Sequence, residues 1–524
     1  MNVSHHVVRY AAVTPDQPAL IFEGRTITYQ ALARDASHVA AWLRAQGVGP
    51  QDRVALLLPN CPEFVIGYLA TLYVGATVVS LNGASKARAL RHMLDDCRPS
   101  IVFVTPGSAT EVPWSHLANA PTAVVVDGAW PSAVPMGQLL EAQGAGIGPI
   151  DVEPDHPAAI LYSSGTTGFP KGVVLSHRNV EFNSKAKRRY LGLRSYDRLM
   201  LFVPLFHVFG QNAILNAGLY SGATIVLCRR FHPDDTLADV ARSAVTVFFG
   251  LPTVYAILLS RIQVERLGSV RMWFSAAATL PEDLARRWHK STGLAIQEGY
   301  GLTETSPFTC FNHLHEHRLG SVGTPIEGVE IKVVDVSLGT DLSRHESGEV
   351  CVRGPNVMSG YWHGPDETDQ AVVDGWFRTG DIGYLDDDGY LFLVDRLKDM
   401  VDVAGLKVWP SEVEQVLNEH PAVHLAAVFR RPDPDTGERV SSCVVLQSGA
   451  SVTKHDLLTW CRQNLARYKV PVELRFVNEL PMSPSGKILR RVLSAPAEEA
   501  EWGSGPLPEG RAAPQGLSPR PVDG

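Results

Sequence analysis

From Phe64 to Ser85 the chain runs 22 residues without a charged side chain, and few structures can accommodate such a stretch. A membrane-spanning helix needs roughly 20 apolar residues in a row, so the length alone would permit one. The composition argues otherwise. Gly67 and Gly75 interrupt the run, and Thr77-Val78-Val79-Ser80-Leu81 is β-branched and suits a strand. Upstream, Arg53-Val54-Ala55-Leu56-Leu57-Leu58 reads as a strand, Pro59-Asn60 as a turn and Pro62 as the start of a helix. Two uncharged strands joined by a helix make a βαβ unit buried on both faces, the signature of a parallel sheet.

The same alternation recurs. Leu20 to Tyr29 predicts a hairpin turning near Gly24, and a helix follows from Gln30 to Gln46 with Leu32, Ala36, Val39, Ala40 and Leu43 on one face. Further strands are predicted at Ile101–Val104, Ala123–Val126, Leu199–Val203, Thr224–Leu227 and Val245–Phe249, and the Gly/Pro-rich segment from Val126 to Asp151 reads as a loop. The fold class is therefore α/β, with a large N-terminal domain of several subdomains over residues 1–394. A small α+β domain is predicted over 395–494. It has helices at Ser411–Glu419 and Lys454–Leu465 and strands at Ala426–Arg430, Ser442–Leu446 and Leu474–Val477. The Pro/Gly/Glu/Ala-rich stretch over 495–524 is predicted to be disordered.

At 524 residues the chain exceeds one compact domain, and its net charge of −8 offers no reason to expect nucleic acid as a partner. Seven scattered cysteines without a C-x-x-C pair suit reduced thiols and a cytoplasmic setting better than zinc or disulfides. The first residues lack the basic and apolar regions of a signal peptide.

The densest polar motif follows the strand-like Ala158-Ala159-Ile160-Leu161. It reads Tyr162-Ser163-Ser164-Gly165-Thr166-Thr167-Gly168-Phe169-Pro170-Lys171-Gly172. Its glycines let the backbone turn with N–H groups inward, its four hydroxyls add donors, and Lys171 adds a mobile positive charge. Together these form a cradle for a polyphosphate. The spacing departs from a Walker A loop, because Gly172 follows the lysine. A ligand-free surface turn is the alternative.

This loop resembles the phosphate-binding signature of the adenylate-forming enzymes, which include acyl-CoA synthetases, aryl-CoA ligases, luciferases and peptide-synthetase adenylation domains. Five more motifs occur in that family's order, so the resemblance spans Asp16 to Leu493 and is closest in pattern to fatty acyl-CoA ligases. In Phe206-His207-Val208-Phe209-Gly210, the resemblance puts His207 beside the reacting carboxylate, where it gates the thiol's path. In Glu298-Gly299-Tyr300-Gly301-Leu302-Thr303-Glu304, it implies that Tyr300 faces adenine, Thr303 donates to the α-phosphate and Glu304 binds Mg²⁺. Asp381 and Arg396 would hold the ribose, Lys398 would be the inter-domain hinge, and Gly405, Leu406 and Lys407 would line the CoA tunnel. Many relatives carry Gly-Gly where this chain has Ala404-Gly405. Lys487 would bridge the substrate carboxylate and the α-phosphate. The implied ATP site comprises Ser163, Ser164, Gly165, Thr166, Thr167, Gly168, Lys171, Glu298, Gly299, Tyr300, Gly301, Thr303, Asp381, Arg396 and Lys487. The implied catalytic groups are Lys487, His207, Thr303 and Glu304.

What the resemblance implies is a two-step ligase. It activates a carboxylic acid with MgATP as acyl-AMP and then passes the acyl group to CoA. The acyl wall implied is Phe206, His207, Phe209, Asn212, Ala213, Ser275, Ala276, Ala277, Gly299 and Gly301. It contains no acid to pair a substrate ammonium, which favours a fatty or other uncharged acid over an α-amino acid. Aryl acids, a β-amino acid held by Asn212, a separate carrier protein as acceptor and a non-catalytic acyl-binding role remain alternatives. The cluster Lys185, Lys187, Arg188 and Arg189 reads either as a site for CoA phosphates or, more in keeping with such runs, as a solvated helix face. The oligomeric state is open, a homodimer being one option.

Overall fold

The computed structural model describes residues 1–141, 146–163, 170–259, 261, 267–313, 316–447, 449–482 and 488–494. The predicted site residues Ser164, Gly165, Thr166, Thr167, Gly168 and Lys487, and the predicted disordered tail, lie outside them. The described chain forms two compact units, one spanning Met1–Lys398 and the other beginning at Asp399.

In the first unit the uncharged stretch folds as its composition demands. The strand Arg53–Leu57 pairs in parallel with Thr77–Ser80. The helix between them, Pro62–Tyr73, buries nearly all of its residues. Among the described residues no helix is long and apolar enough to cross a membrane. This unit belongs to an eight-stranded sheet whose inner strands, Thr122–Val125, Ile101–Val104, Arg53–Leu57, Thr77–Ser80 and Pro157–Ser163, are all parallel. A nine-stranded sheet holds the parallel run Pro18–Phe22, Thr224–Leu227, Arg198–Leu201, Val247–Gly250, Met272–Ser275 and Ile296–Tyr300. The predicted hairpin appears as Pro18–Phe22 paired with Arg25–Thr28. The helix Tyr29–Ala45 is capped by Thr28, whose Oγ1 accepts the Ala31 amide, and it buries the predicted face.

Two readings are corrected. The segment predicted as a loop after Val126 contains a short strand, Val134–Pro135, and a helix, Met136–Leu140. Burial of Met136 and Leu139 against the core stabilises a helix too short to be legible by periodicity. The basic cluster on the helix His177–Tyr190 is not one solvated face: Lys187 is fully buried, with its Nζ 4.2 Å from the Phe308 ring centroid.

A third, antiparallel sheet (Glu330–Val334, Gly348–Arg353, Trp376–Leu385, Val372–Val373 and Leu391–Arg396) completes the first unit. The second unit packs the helices Pro410–Asn418 and Lys454–Asn464 on a five-stranded sheet, around Val401, Val413, Leu417, Val428, Val444 and Leu457. The two short strands predicted there are one long hairpin, Val423–Asp433 with Gly437–Leu446. Another hairpin joins Val401–Val403 to Leu406–Val408 through Ala404 (φ 52°) and Gly405 (φ 86°). Two successive positive φ values are what a two-residue hairpin loop requires, so glycine is favoured at both places and Ala404 is held in a disfavoured region.

The start of the nine-stranded sheet is tied by one buried carboxylate. Asp197 accepts from Arg271 Nε and Nη2 (2.9 and 2.8 Å), Thr246 Oγ1 (2.7 Å) and the Arg194 amide (2.8 Å), and its carbonyl accepts the Thr224 amide. Burial acts to raise its pKa, but the Arg271 guanidinium and the other donors outweigh it, so the carboxyl titrates below its usual range. We expect Asp197→Ala to lower stability by about 2 to 4 kcal/mol, the lower end reflecting the partial exposure of Arg271. Because the folded-state pKa is depressed, this contribution is present above the unfolded value and lost as pH falls. The stabilities of wild type and Asp197→Asn should therefore draw together as pH falls below about 4; parallel curves would refute the assignment.

Candidate active site

The described ends of the predicted phosphate loop are held by antiparallel pairing of Pro157–Ser163 with Lys171–Ser176, which sets Ser163 opposite Lys171. Strand Gly360–Tyr361 pairs with the second of these. Two hydroxyls therefore converge on Glu304, because Ser163 Oγ and Tyr361 OH each donate to Glu304 Oε1 at 3.3 Å. Burial and the Glu304 charge push the Tyr361 phenol pKa upward, so it stays a donor. Lys171 lies at the same strand end, its Nζ 3.9 Å from Glu367 and 5.3 Å from the Tyr361 ring centroid. A single half-buried carboxylate facing hydroxyls fits Mg²⁺, which takes one or two carboxylates and fills its octahedron with phosphate oxygens and water.

Thr303 and Glu304 sit in a tight turn that the surroundings hold firmly. A Cβ on Gly301 would lie 1.5 Å from the Pro307 carbonyl oxygen, so no side chain fits there. The Asn183 carboxamide accepts the Phe308 amide at 2.7 Å and donates to the Thr305 carbonyl at 3.4 Å. Lys187 Nζ, one helical turn on, donates to Asn183 Oδ1 at 3.3 Å. From the other side Asn356 Nδ2 donates to the Phe308 carbonyl, its own carbonyl accepts from Ser306 Oγ, and the Met358 amide donates to the Glu304 carbonyl. Sequence reasoning missed Asn183, Lys187 and Asn356. The four-residue spacing of Asn183 and Lys187 was the available signal, and the neighbouring charges obscured it.

The structure brings Tyr300, Asp381 and Arg396 together. Strand register sets Asp381 opposite Arg396. Arg396 Nε lies 3.0 Å from Asp381 Oδ1, and Tyr300 OH donates to Asp381 Oδ2 at 2.7 Å. Burial first, then the Asp381 charge, raises the Tyr300 pKa and keeps the phenol protonated. Glu298 differs in character from its neighbours. It is buried, accepts the Leu280 amide, and is pushed up to about 8 by burial and by Glu282, so it is protonated at neutral pH.

His207 is half-buried, and its Nδ1 accepts the Phe209 amide at 3.1 Å, at the start of the helix that follows. That helix, Phe209–Asn216, is wound as a π-helix and buried throughout. Phe209 packs on Phe249 and Phe274, with ring centroids 6.3 and 6.5 Å apart. A Cβ on Gly299 would lie 2.5 Å from Phe274 Cζ, so the glycine admits that ring. Phe249 and Phe274, which no motif contained, pack with Phe209 in the core. Asn212, Ala213 and Ser275 are buried, whereas Phe206, Ala276 and Ala277 are half-buried. In the second unit Gly405, Leu406 and Lys407 form an exposed hairpin tip; Lys398, the last residue of the first unit, lies in the short 3₁₀ turn Leu397–Asp399.

Residues 7–362 match the family model described as AMP-binding enzyme, and 412–487 match the AMP-binding enzyme C-terminal domain. A long-chain-fatty-acid–CoA ligase of Bacillus subtilis is 34% identical, covering 92% of each chain. A feruloyl-CoA synthase of an Amycolatopsis species is 35% identical over 92% of this chain and 96% of its own. The structure of ATP-bound MatB from Rhodopseudomonas palustris superposes with a TM-score of 0.87 at 33% identity, over 94% of this chain and 98% of that one. The chain belongs to the AMP-binding enzyme family of adenylate-forming ligases.

Proposed function

We propose that this protein is an ATP-dependent carboxylic acid–CoA ligase acting on an uncharged acid. The observation that carries the reading is the Tyr300–Asp381–Arg396 constellation beside a turn whose Glu304 carboxylate faces Ser163 at the phosphate loop. Asp381 receives the ribose hydroxyls, and Arg396 orients its carboxylate. Thr303 donates to the α-phosphate, while Ser163, Ser164, Gly165, Thr166, Thr167, Gly168 and Lys171 surround the β- and γ-phosphates. When bound at Glu304, Mg²⁺ would offset phosphate charge. A substrate carboxylate oxygen attacks the α-phosphorus, and the bond to the bridging oxygen breaks, its electron pair leaving with pyrophosphate. Lys487 balances the charge that builds during this step. CoA thiolate then attacks the acyl carbon, past His207, and AMP leaves with the electron pair of the broken C–O bond. The hairpin Gly405-Leu406-Lys407 serves this second step, with Lys398 as the pivot between the two.

The relatives' names span fatty and aryl acids, so they leave the acid open. The β-amino acid alternative stays open too: Asn212 Oδ1 accepts Asn216 Nδ2 at 2.9 Å and has a second lone pair.

We expect label from pyrophosphate to enter ATP only when a suitable acid is added, and added CoA to yield a thioester of matching mass with AMP as the nucleotide product. Formation of ADP with every acid would overturn the reading. Lys487→Ala should slow pyrophosphate exchange by about 10²-fold or more, the scale of losing one pre-aligned charge stabiliser. Thioester formation from synthetic acyl-adenylate should survive, and equal loss in both steps would refute that assignment. Asp381→Asn keeps the size but weakens the acceptor, so it should raise KM for ATP while leaving KM for CoA unchanged.

A further inference from the structure

The strand Trp376–Leu385, which carries Asp381, does not pair evenly with its neighbour Gly348–Arg353. Glu349 stands opposite Ile382 and Cys351 opposite Arg378, with a register shift between the two pairs. Val350 therefore faces Thr379, Gly380 and Asp381 together, so the chain bulges just where the Asp381 carboxylate is presented. Gly380 takes a φ of 68° there, in the left-handed region that favours glycine. Bulges bend a strand, re-aim a side chain and leave ladder groups unpaired.

Two side chains take over the interrupted ladder. Thr379 Oγ1 donates to the Val350 carbonyl at 2.7 Å and accepts the Asp381 amide at 3.0 Å. Glu349 Oε1 accepts the Gly380 amide at 3.1 Å, while its Oε2 accepts from Arg378 Nε and Nη2. Glu349 is only 5% exposed, and a carboxylate buried to that extent is costly unless it is paired and hydrogen-bonded. Arg378 supplies the opposite charge. The Gly380 amide is a contact that an ion pair does not need, and it fastens the carboxylate to the residue directly before Asp381. The Asp381 carboxylate itself meets Tyr300 OH and Arg396 Nε.

We propose that Glu349 is a positioning residue of the nucleotide site. Its grip on the Gly380 amide sets the path of the bulge, and that path aims the Asp381 carboxylate at the ribose hydroxyls. This rests on the ribose role given to Asp381 above and goes beyond it, because Glu349 acts only through the backbone of the adjacent strand. Tyr300 and Arg396 fix how the carboxylate is turned, and Glu349 fixes the chain from which it hangs. Without the Glu349 charge the bulge can relax toward even pairing, and each residue of slip turns a side chain to the other face of the sheet. Hydrogen bonds to a diol tolerate little of this, since a shift of about 1 Å can cost as much as about 100-fold.

The test measures Kd of the full-length protein for ATP, 2′-deoxy-ATP and 3′-deoxy-ATP in the presence of Mg²⁺, by titration calorimetry. Wild type should bind ATP about 10- to 100-fold more tightly than either analogue, the scale of a hydrogen bond to a charged group. Asp381→Asn should bring that ratio close to unity. Glu349→Gln, which keeps the size of the side chain, should lower it by about 10-fold. A merely structural defect reduces the fraction of protein that binds and leaves the ratio of Kd values where it was. Should Glu349→Gln not fold, Glu349→Asp makes the same comparison, because it keeps a charge for Arg378 but is one methylene short of the Gly380 amide. A wild-type ratio near unity, or one that Asp381→Asn leaves unchanged, would overturn the ribose reading and this inference with it. A ratio that falls in Asp381→Asn and holds in the Glu349 variant would overturn the inference alone.

Discussion

A parallel strand buried on both faces can hold polar chemistry only at its ends, and this constraint organises the first unit. The strands Met272–Ser275 and Ile296–Tyr300 run side by side in register and deliver their C-terminal residues to the same edge of the nine-stranded sheet. Ligands of open α/β sheets gather outside such carboxyl ends. Tyr300, Gly301, Thr303 and Glu304 occupy that edge because the strand ends there. The phosphate loop likewise springs from the C-terminal end of Pro157–Ser163, which runs parallel to Thr77–Ser80 in the other sheet.

Holding a turn at such an edge requires partners for its backbone. The turn after Tyr300 obtains them from carboxamides, Asn183 on one side and Asn356 on the other, each reaching Phe308. An amide side chain offers both donor and acceptor, so one residue can grip a carbonyl and an N–H of the same turn. Lys187 extends this grip without a carboxylate. Its Nζ meets a carbonyl oxygen and an aromatic face, and burial drives its pKa well below the usual range. The arrangement sacrifices some lysine hydration to keep Thr303 and Glu304 in a single geometry.

The helix Phe209–Asn216 follows a different logic. On one side Phe209 packs with Phe249 and Phe274, and the glycine that makes room for Phe274 is Gly299. The same helix carries the carboxamides of Gln211 and Asn212, whose oxygens accept from Ser80 and Asn216.

Much of this was legible in the amino-acid sequence, because it depends on local chemistry. An uncharged strand–helix–strand run can be satisfied only inside a sheet, glycines mark forced turns, and the order of Ser163, Tyr300, Glu304, Asp381 and Arg396 along the chain carries the family's chemistry. The tertiary structure decided what local rules cannot express. It placed Lys187 in the core although its neighbours are charged, because the far side of its helix is covered by the turn through Phe308. It made Met136–Leu140 a helix through burial rather than periodicity. It also turned the carboxamides of Gln211 and Asn212 by their oxygens, since that depends on Ser80, Tyr68 and Asn216. Of these three, Ser80 and Tyr68 are separated from the pair by more than a hundred residues of chain. How an amide is turned is a property of its partners, and partners at such separations are chosen only by the fold.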